Sequence, residues 1–231
     1  MNGLEKQLYD NTEPIYHEMV KHLKSIGYSF ESENCLSTFH AQIGSLYEAG
    51  GIAFYGRATN GWDDDYNPGI NTVTLHTRSP FFQMVRRIAS TFYPTNMAEH
   101  IVWSNVCKAA PWEKGNPSNQ LWEDQYKYMT KILKAELRIL QPAISVFITG
   151  IEEEKRYDSP LRKKETFPDL SLLYTHENSA LGIECTVECY YSKTYNQYFL
   201  VTGRPEFQSG EFRDFQANHI INAIKSVLNK S

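Results

Sequence analysis

The chain has 231 residues, 41% of them hydrophobic and 22% charged, ordinary globular usage that supplies enough apolar material for a packed core. Its formal net charge of −4 excludes a global basic field, so any binding to nucleic acid would need a local patch. No run approaches 18 apolar residues and the first residues lack the apolar core of a signal peptide. A reducing, cytoplasmic setting with no membrane partner is the expectation.

Residues 4–26 predict an amphipathic helix, because Leu8, Ile15, Met19, Leu23 and Ile26 recur at helical spacing before Gly27. A second helix is predicted over 37–49, stopped by Gly50 and Gly51. Together they make a helical extension of about residues 1–49 at the start of a single domain. The run Gly51–Gly56 reads as the first strand. Residues 57–78 form a long loop rich in Gly, Asn and Asp, with a short extended piece at Thr72–His76. Loops of that length are functional or disordered. Helix 80–92 opens with Ser79 as cap and Pro80 in its first turn. A second strand covers 100–106.

The clearest predicted element is helix 119–140. Ser118 caps it, acids at 123 and 124 sit near its positive end, and Lys134 and Arg138 sit near its negative end. Leu121, Met129, Ile132, Leu133, Leu137 and Leu140 form its apolar stripe, and Pro142 stops it. A third strand follows at 143–149. The charged stretch 151–167 is expected to be exposed. Residues 169–174 and 181–191 fit an antiparallel hairpin or strands at a sheet edge. Strand 197–202 precedes a polar turn and a helix over 211–229.

Four strand-like runs alternating with helices predict an α/β fold, a three-layer α/β/α sandwich with a mostly parallel central sheet. In such sheets ligands bind beyond the carboxyl ends of the strands. Segments 56–62, 104–108, 149–150 and 202–207 are therefore expected to converge, with Gly56, Asn105, Gly150 and Gly203 on one edge. No dinucleotide, P-loop, zincin or serine-hydrolase motif is present. No cofactor and no metal are expected. Cys35, Cys107, Cys185 and Cys189 show no metal-ligand spacing, and buried free thiols are the expectation. Cys107 at a strand end, with His40, His76 or His176 as base, is a nucleophile reading that no spacing supports.

The strand-end segments, in order, resemble the uracil-DNA glycosylase superfamily. Gly56-Arg57-Ala58-Thr59-Asn60-Gly61-Trp62 occupies the place of that family's glycine-led motif after the first strand. Trp103-Ser104-Asn105-Val106 occupies the place of its strand-end asparagine. Thr202-Gly203-Arg204-Pro205-Glu206-Phe207-Gln208-Ser209, running into the last helix, occupies the place of its histidine-proline-serine turn. Ser79-Pro80-Phe81-Phe82 lies where the family carries an aromatic that stacks on the base. The likeness spans about residues 50–229. It implies the α/β/α fold and recognition of a nucleobase, nucleotide or single-stranded nucleic acid. It also implies a hydrolase of the DNA-repair type. This chain departs from the family pattern: Ala58 stands near the acid or amide that positions water, and Arg204 takes the place of the histidine.

The resemblance distributes roles. Asn105 would read a base edge, Arg204 would stabilise a departing base, and one of Asp63, Asp64 and Asp65 would position water. Gly56, Arg57, Asn60, Trp62, Phe81 and Pro205 would line the ligand site. Each residue also fits a plainer reading: Asn105 as a turn cap, Arg204 as a surface arginine, Trp62 and Phe81 as core, the three acids as a solvated loop. Arg156, Arg162, Lys163 and Lys164 fit either phosphate contacts or an exposed charged loop. The alternative to a glycosylase is a binding or interaction module that keeps the fold without the chemistry.

Overall fold

The computed structural model describes residues 3–31, 35–58, 79–112, 115–151, 161–180, 183–205 and 208–229. In chain order these form α1 (Gly3–Ser25), β1 (Leu36–Thr38), β2 (Gln42–Ile43), β3 (Ile52–Gly56) and α2 (Pro80–Phe92). A 3-10 turn (Met97–His100), β4 (Ile101–Asn105), β5 (Ala109–Pro111), α3 (Asn119–Leu140) and β6 (Ile144–Ile148) follow. The last elements are α4 (Lys163–Thr166), β7 (Leu170–Ala180), β8 (Ile183–Ser192), β9 (Gln197–Thr202) and α5 (Gly210–Leu228).

Seven strands build one mixed sheet in the order β2-β4-β3-β6-β9-β8-β7. The central four, β4-β3-β6-β9, run parallel. Period-2 alternation along them creates two cores. Ile52, Phe54, Trp103, Val146 and Leu200 pack under α2 and α5. Ala53, Tyr55, Val102, Phe147 and Val201 pack under α3. Helices therefore cover both faces, and the fold is mixed α/β. Arg87 ties α2 to α5 through Asp214 at 2.9 Å. The helix α1 lies outside α3, where Tyr16, Met19 and Leu23 meet Leu121, Tyr128 and Ile132.

Capping explains where the helices over the sheet begin. The hydroxyls of Ser79, Ser118 and Ser209 accept from the amides of Phe82, Leu121 and Phe212, satisfying N–H groups that have no partner within the helix. Ser79 and Ser209 follow β3 and β9 in the chain, strands that end at the carboxyl edge, and the first turns of α2 and α5 open there.

Two expectations are corrected. Residues 37–49 are not a helix. Leu36, Ser37, Phe39, His40, Ala41 and Ile43 are buried, and the segment supplies β1, paired with β5, and β2, paired antiparallel with β4. The part of 151–167 that is described is not an exposed charged loop. Leu161, Lys163, Thr166 and Phe167 are buried. Lys163 pairs with Glu188, and Arg162 pairs with Glu123 while lying over the Trp122 ring at 4.0 Å. Arg162 and Lys163 are thus held by acids and rings, while Lys164 is exposed. Arg156 lies outside the described residues. Residues 170–180 and 183–192 form the antiparallel hairpin, at the sheet's outer edge.

Candidate functional site

The parallel strands bring their carboxyl ends to one edge. Gly56 and Asn105 are register partners at the ends of β3 and β4. Ile148 and Thr202 hold the corresponding positions in β6 and β9. The Gly150 amide donates to the Thr202 carbonyl at 3.0 Å, which places Gly150 and Gly203 on the same edge.

Alternation points Gly56 and Asn105 to the α2 side, two residues beyond the buried Phe54 and Trp103. A Cβ at position 56 would meet Asn105 Oδ1 at 2.6 Å and the Phe81 ring at 3.4 Å. A side chain there would force Asn105 to shift, a constraint set by close approach and not by backbone conformation. Asn105 is 2% exposed. Its Nδ2 has no hydrogen-bond partner among the described residues. A buried amide left unpaired costs about 1–3 kcal/mol. Phe81, half-buried in the first turn of α2, packs one side on Phe82 and Trp103. Gly56, Phe81 and Asn105 thus form one cluster.

Arg204 and Pro205 follow β9 on the same edge, Arg204 half-buried and Pro205 buried. Two strands separate β9 from β4, which sets them on the order of 14 Å from Asn105 along the sheet. The strand end beneath them is held by Gln216 of α5, whose Nε2 donates to the Gly203 carbonyl at 2.8 Å and to Thr202 Oγ1 at 3.2 Å. The Gln216 Oε1 is buried without a partner among the described residues. Arg57 extends β3 on the other side of the sheet, and its carbonyl accepts from the Cys107 amide at 2.9 Å. Asn60, Trp62, Asp63, Asp64, Asp65 and His76 lie outside the described residues.

The cysteine nucleophile reading fails on chemistry. Burial pushes the Cys107 thiol up to about 12, although the nearby Arg57 and Lys108 charges pull it down. Burial pulls His40 down to about 3, and its ring is stacked on Tyr16 at 3.8 Å. Neither group suits proton transfer near neutral pH. All four cysteines are free thiols.

One constellation is absent from the sequence reading. On the α3 side of the same strand end, Lys108 Nζ contacts Glu136 Oε1 at 2.6 Å and donates to Ser104 Oγ at 2.8 Å. Ser104 Oγ lies 3.1 Å from each Glu136 oxygen. All three side chains are buried. Burial pulls the Lys108 ammonium down and pushes the Glu136 carboxyl up, and their mutual contact opposes both shifts. Tyr55, the register partner of Ser104, keeps a buried hydroxyl without a partner among the described residues. The available signal was a charge inside an apolar stripe: Glu136 stands four residues from both Ile132 and Leu140.

A cavity of about 560 Å³ lies at the opposite, amino edge, lined by Tyr47, Glu48, Gly51, Tyr93 and His100 among others. None of its lining side chains buries an unpartnered polar atom among the described residues. The strand-end cluster is the better candidate because it holds a group whose hydrogen-bonding capacity is unused. Together, fold and site define a mixed α/β protein with a polar site at the carboxyl edge of its parallel strands. No protein-family model matches the chain, and no curated protein matches it. Among the described residues no helix is long and apolar enough to cross a membrane.

Proposed function

We propose that the carboxyl edge of the sheet receives a nucleobase, free or carried by a nucleotide or nucleic-acid end, on a divergent uracil-DNA glycosylase-like fold. The observation that carries this reading is the buried Asn105, whose Nδ2 has no partner among the described residues, beside Gly56 and the half-buried Phe81. An amide offers a donor and an acceptor in one plane, which suits the edge of a heterocycle. The aromatic beside it suits the face of the same ring. Gly56 removes the side chain that would fill the space between them.

Hydrolysis of an N-glycosidic bond is the catalytic form of this proposal. Arg204 would stabilise negative charge on the departing base, and one acid of Asp63–Asp65 would position water. Arginine stays protonated across ordinary pH, so activity would show no histidine-type step assignable to residue 204. A second reading keeps the base site without the chemistry. It is favoured by Ala58 near the family's water-positioning place and by the lateral offset of Arg204.

Two assays test these readings. Tryptophan fluorescence should report saturable binding of a nucleobase, nucleotide or short single strand, weakened by about 1–3 kcal/mol in Asn105→Ala. No response at millimolar ligand would refute the base site. Single- and double-stranded DNA carrying uracil, hypoxanthine or other altered bases should release free base if the site is catalytic. Equal turnover in wild type, Arg204→Ala and the three single Asp→Asn variants would rule out the proposed mechanism.

A further inference from the structure

We propose that the buried Ser104–Lys108–Glu136 network is a positioning device for Asn105, acting from the opposite face of the sheet. The inference rests on reading Asn105 as a ligand-facing residue. Ser104 and Lys108 straddle Asn105 in sequence, and Glu136 of α3 binds both. The next turn is fixed from the same helix. Gln125 Oε1 accepts the amides of Lys108 and Ala109, each at 2.9 Å, and its Nε2 donates to the Ala109 carbonyl at 2.9 Å. On the neighbouring strand, the carbonyls of Gly56 and Arg57 accept the amides of Val106 and Cys107, each at 2.9 Å. Ser104, Val106, Cys107, Lys108 and Ala109 are thus each tied by a hydrogen bond from the side chain or the amide, on both sides of Asn105 in sequence.

Stability alone does not call for this chemistry. Burying a lysine and a glutamate carries a desolvation cost, and apolar residues of similar volume commonly do as well or better. A charged, multidentate contact does what apolar packing does poorly: it fixes one geometry. Among the described residues, Asn105 Nδ2 has no hydrogen-bond partner to set its orientation. Its position is therefore inherited from the backbone on either side, and a binding amide needs that backbone held closely.

The test pairs Lys108→Met with Glu136→Leu and follows two signals besides thermal unfolding. The first is the order and line width of the Asn105 side-chain amide resonances, with no ligand present. The second is nucleobase affinity. The paired variant is expected to unfold at or above the wild-type temperature, to broaden or split the Asn105 amide signal, and to lose at least about tenfold in affinity. An unchanged Asn105 amide signal in the folded paired variant overturns the proposal. Should the paired variant not fold, Ser104→Ala removes the bridging hydroxyl and leaves the ion pair; it must disturb the same resonances, and failure to do so overturns the proposal equally. If no nucleobase binds the wild type, the functional reading fails, and the ligand-free amide signal still decides the positioning role.

Discussion

The two faces of β4 treat polar side chains in opposite ways. Toward α3, Ser104, Lys108 and Glu136 bury their polar groups against one another. Toward α2, one residue further along, Asn105 buries an amide whose Nδ2 has no partner among the described residues. A folded chain ordinarily pairs what it buries. The paired side of β4 fits structural support, although Tyr55 of the neighbouring strand leaves its hydroxyl without a partner there among the described residues; on the proposed reading, the unpaired side is a site whose partner comes from outside. The contrast between them is open to experiment in four substitutions.

Glu136→Ala should have the largest effect. It strands the Lys108 ammonium in the core, at a cost of about 3–5 kcal/mol, measured by urea unfolding. A cost below about 1 kcal/mol would mean that the paired side does not depend on this pair. Gly56→Ala probes the other face. Its Cβ would press on Asn105 Oδ1 at 2.6 Å, and overpacking of this kind costs about 1–3 kcal/mol. It should also weaken any ligand that Asn105 holds, and the same unfolding and binding titrations report both.

The pH dependence of stability isolates a neighbour of the paired side. Burial holds His40 at about 3 in the folded protein, with the Lys108 charge adding to the shift. Its unfolded value is about 6.5. Between those values the unfolded chain binds the extra proton, so stability rises with pH and is lost as pH falls below about 6.5. From pH 7 to pH 5 the loss attributable to His40 should be roughly 2 kcal/mol. His40→Phe should flatten that limb, and an identical slope in wild type and variant would remove His40 as its source. Asn105→Ala should have the smallest effect on the fold, within about 1 kcal/mol, because it removes a group that stands unpaired. A large loss of stability would show that Asn105 is structural after all.

What was legible in the sequence follows the locality of the signal. Helices 80–92 and 119–140 were readable to their ends because serine caps and apolar stripes are local. Strand 197–202 was equally plain. The run 37–49 misled because the Gly50-Gly51 stop is a local signal, while the burial of the run comes with strand pairing to residues more than fifty positions away. Gly56 and Asn105 could be named from their places at strand ends and Phe81 from the family resemblance, but the 2.6 Å approach of a Cβ at position 56 to Asn105 Oδ1 could not. The pairing of Lys108 with Glu136 spans 28 residues with no motif between them. Only the polar interruptions of the α3 stripe, Gln125 and Glu136, pointed inward.

The most direct measurement is a titration of the isotopically labelled protein with a panel of nucleobases, following the Asn105 side-chain amide. The account predicts a saturable shift of that resonance with at least one base, absent in Asn105→Ala. A folded protein whose Asn105 amide stays unmoved by every base at millimolar concentration would contradict it.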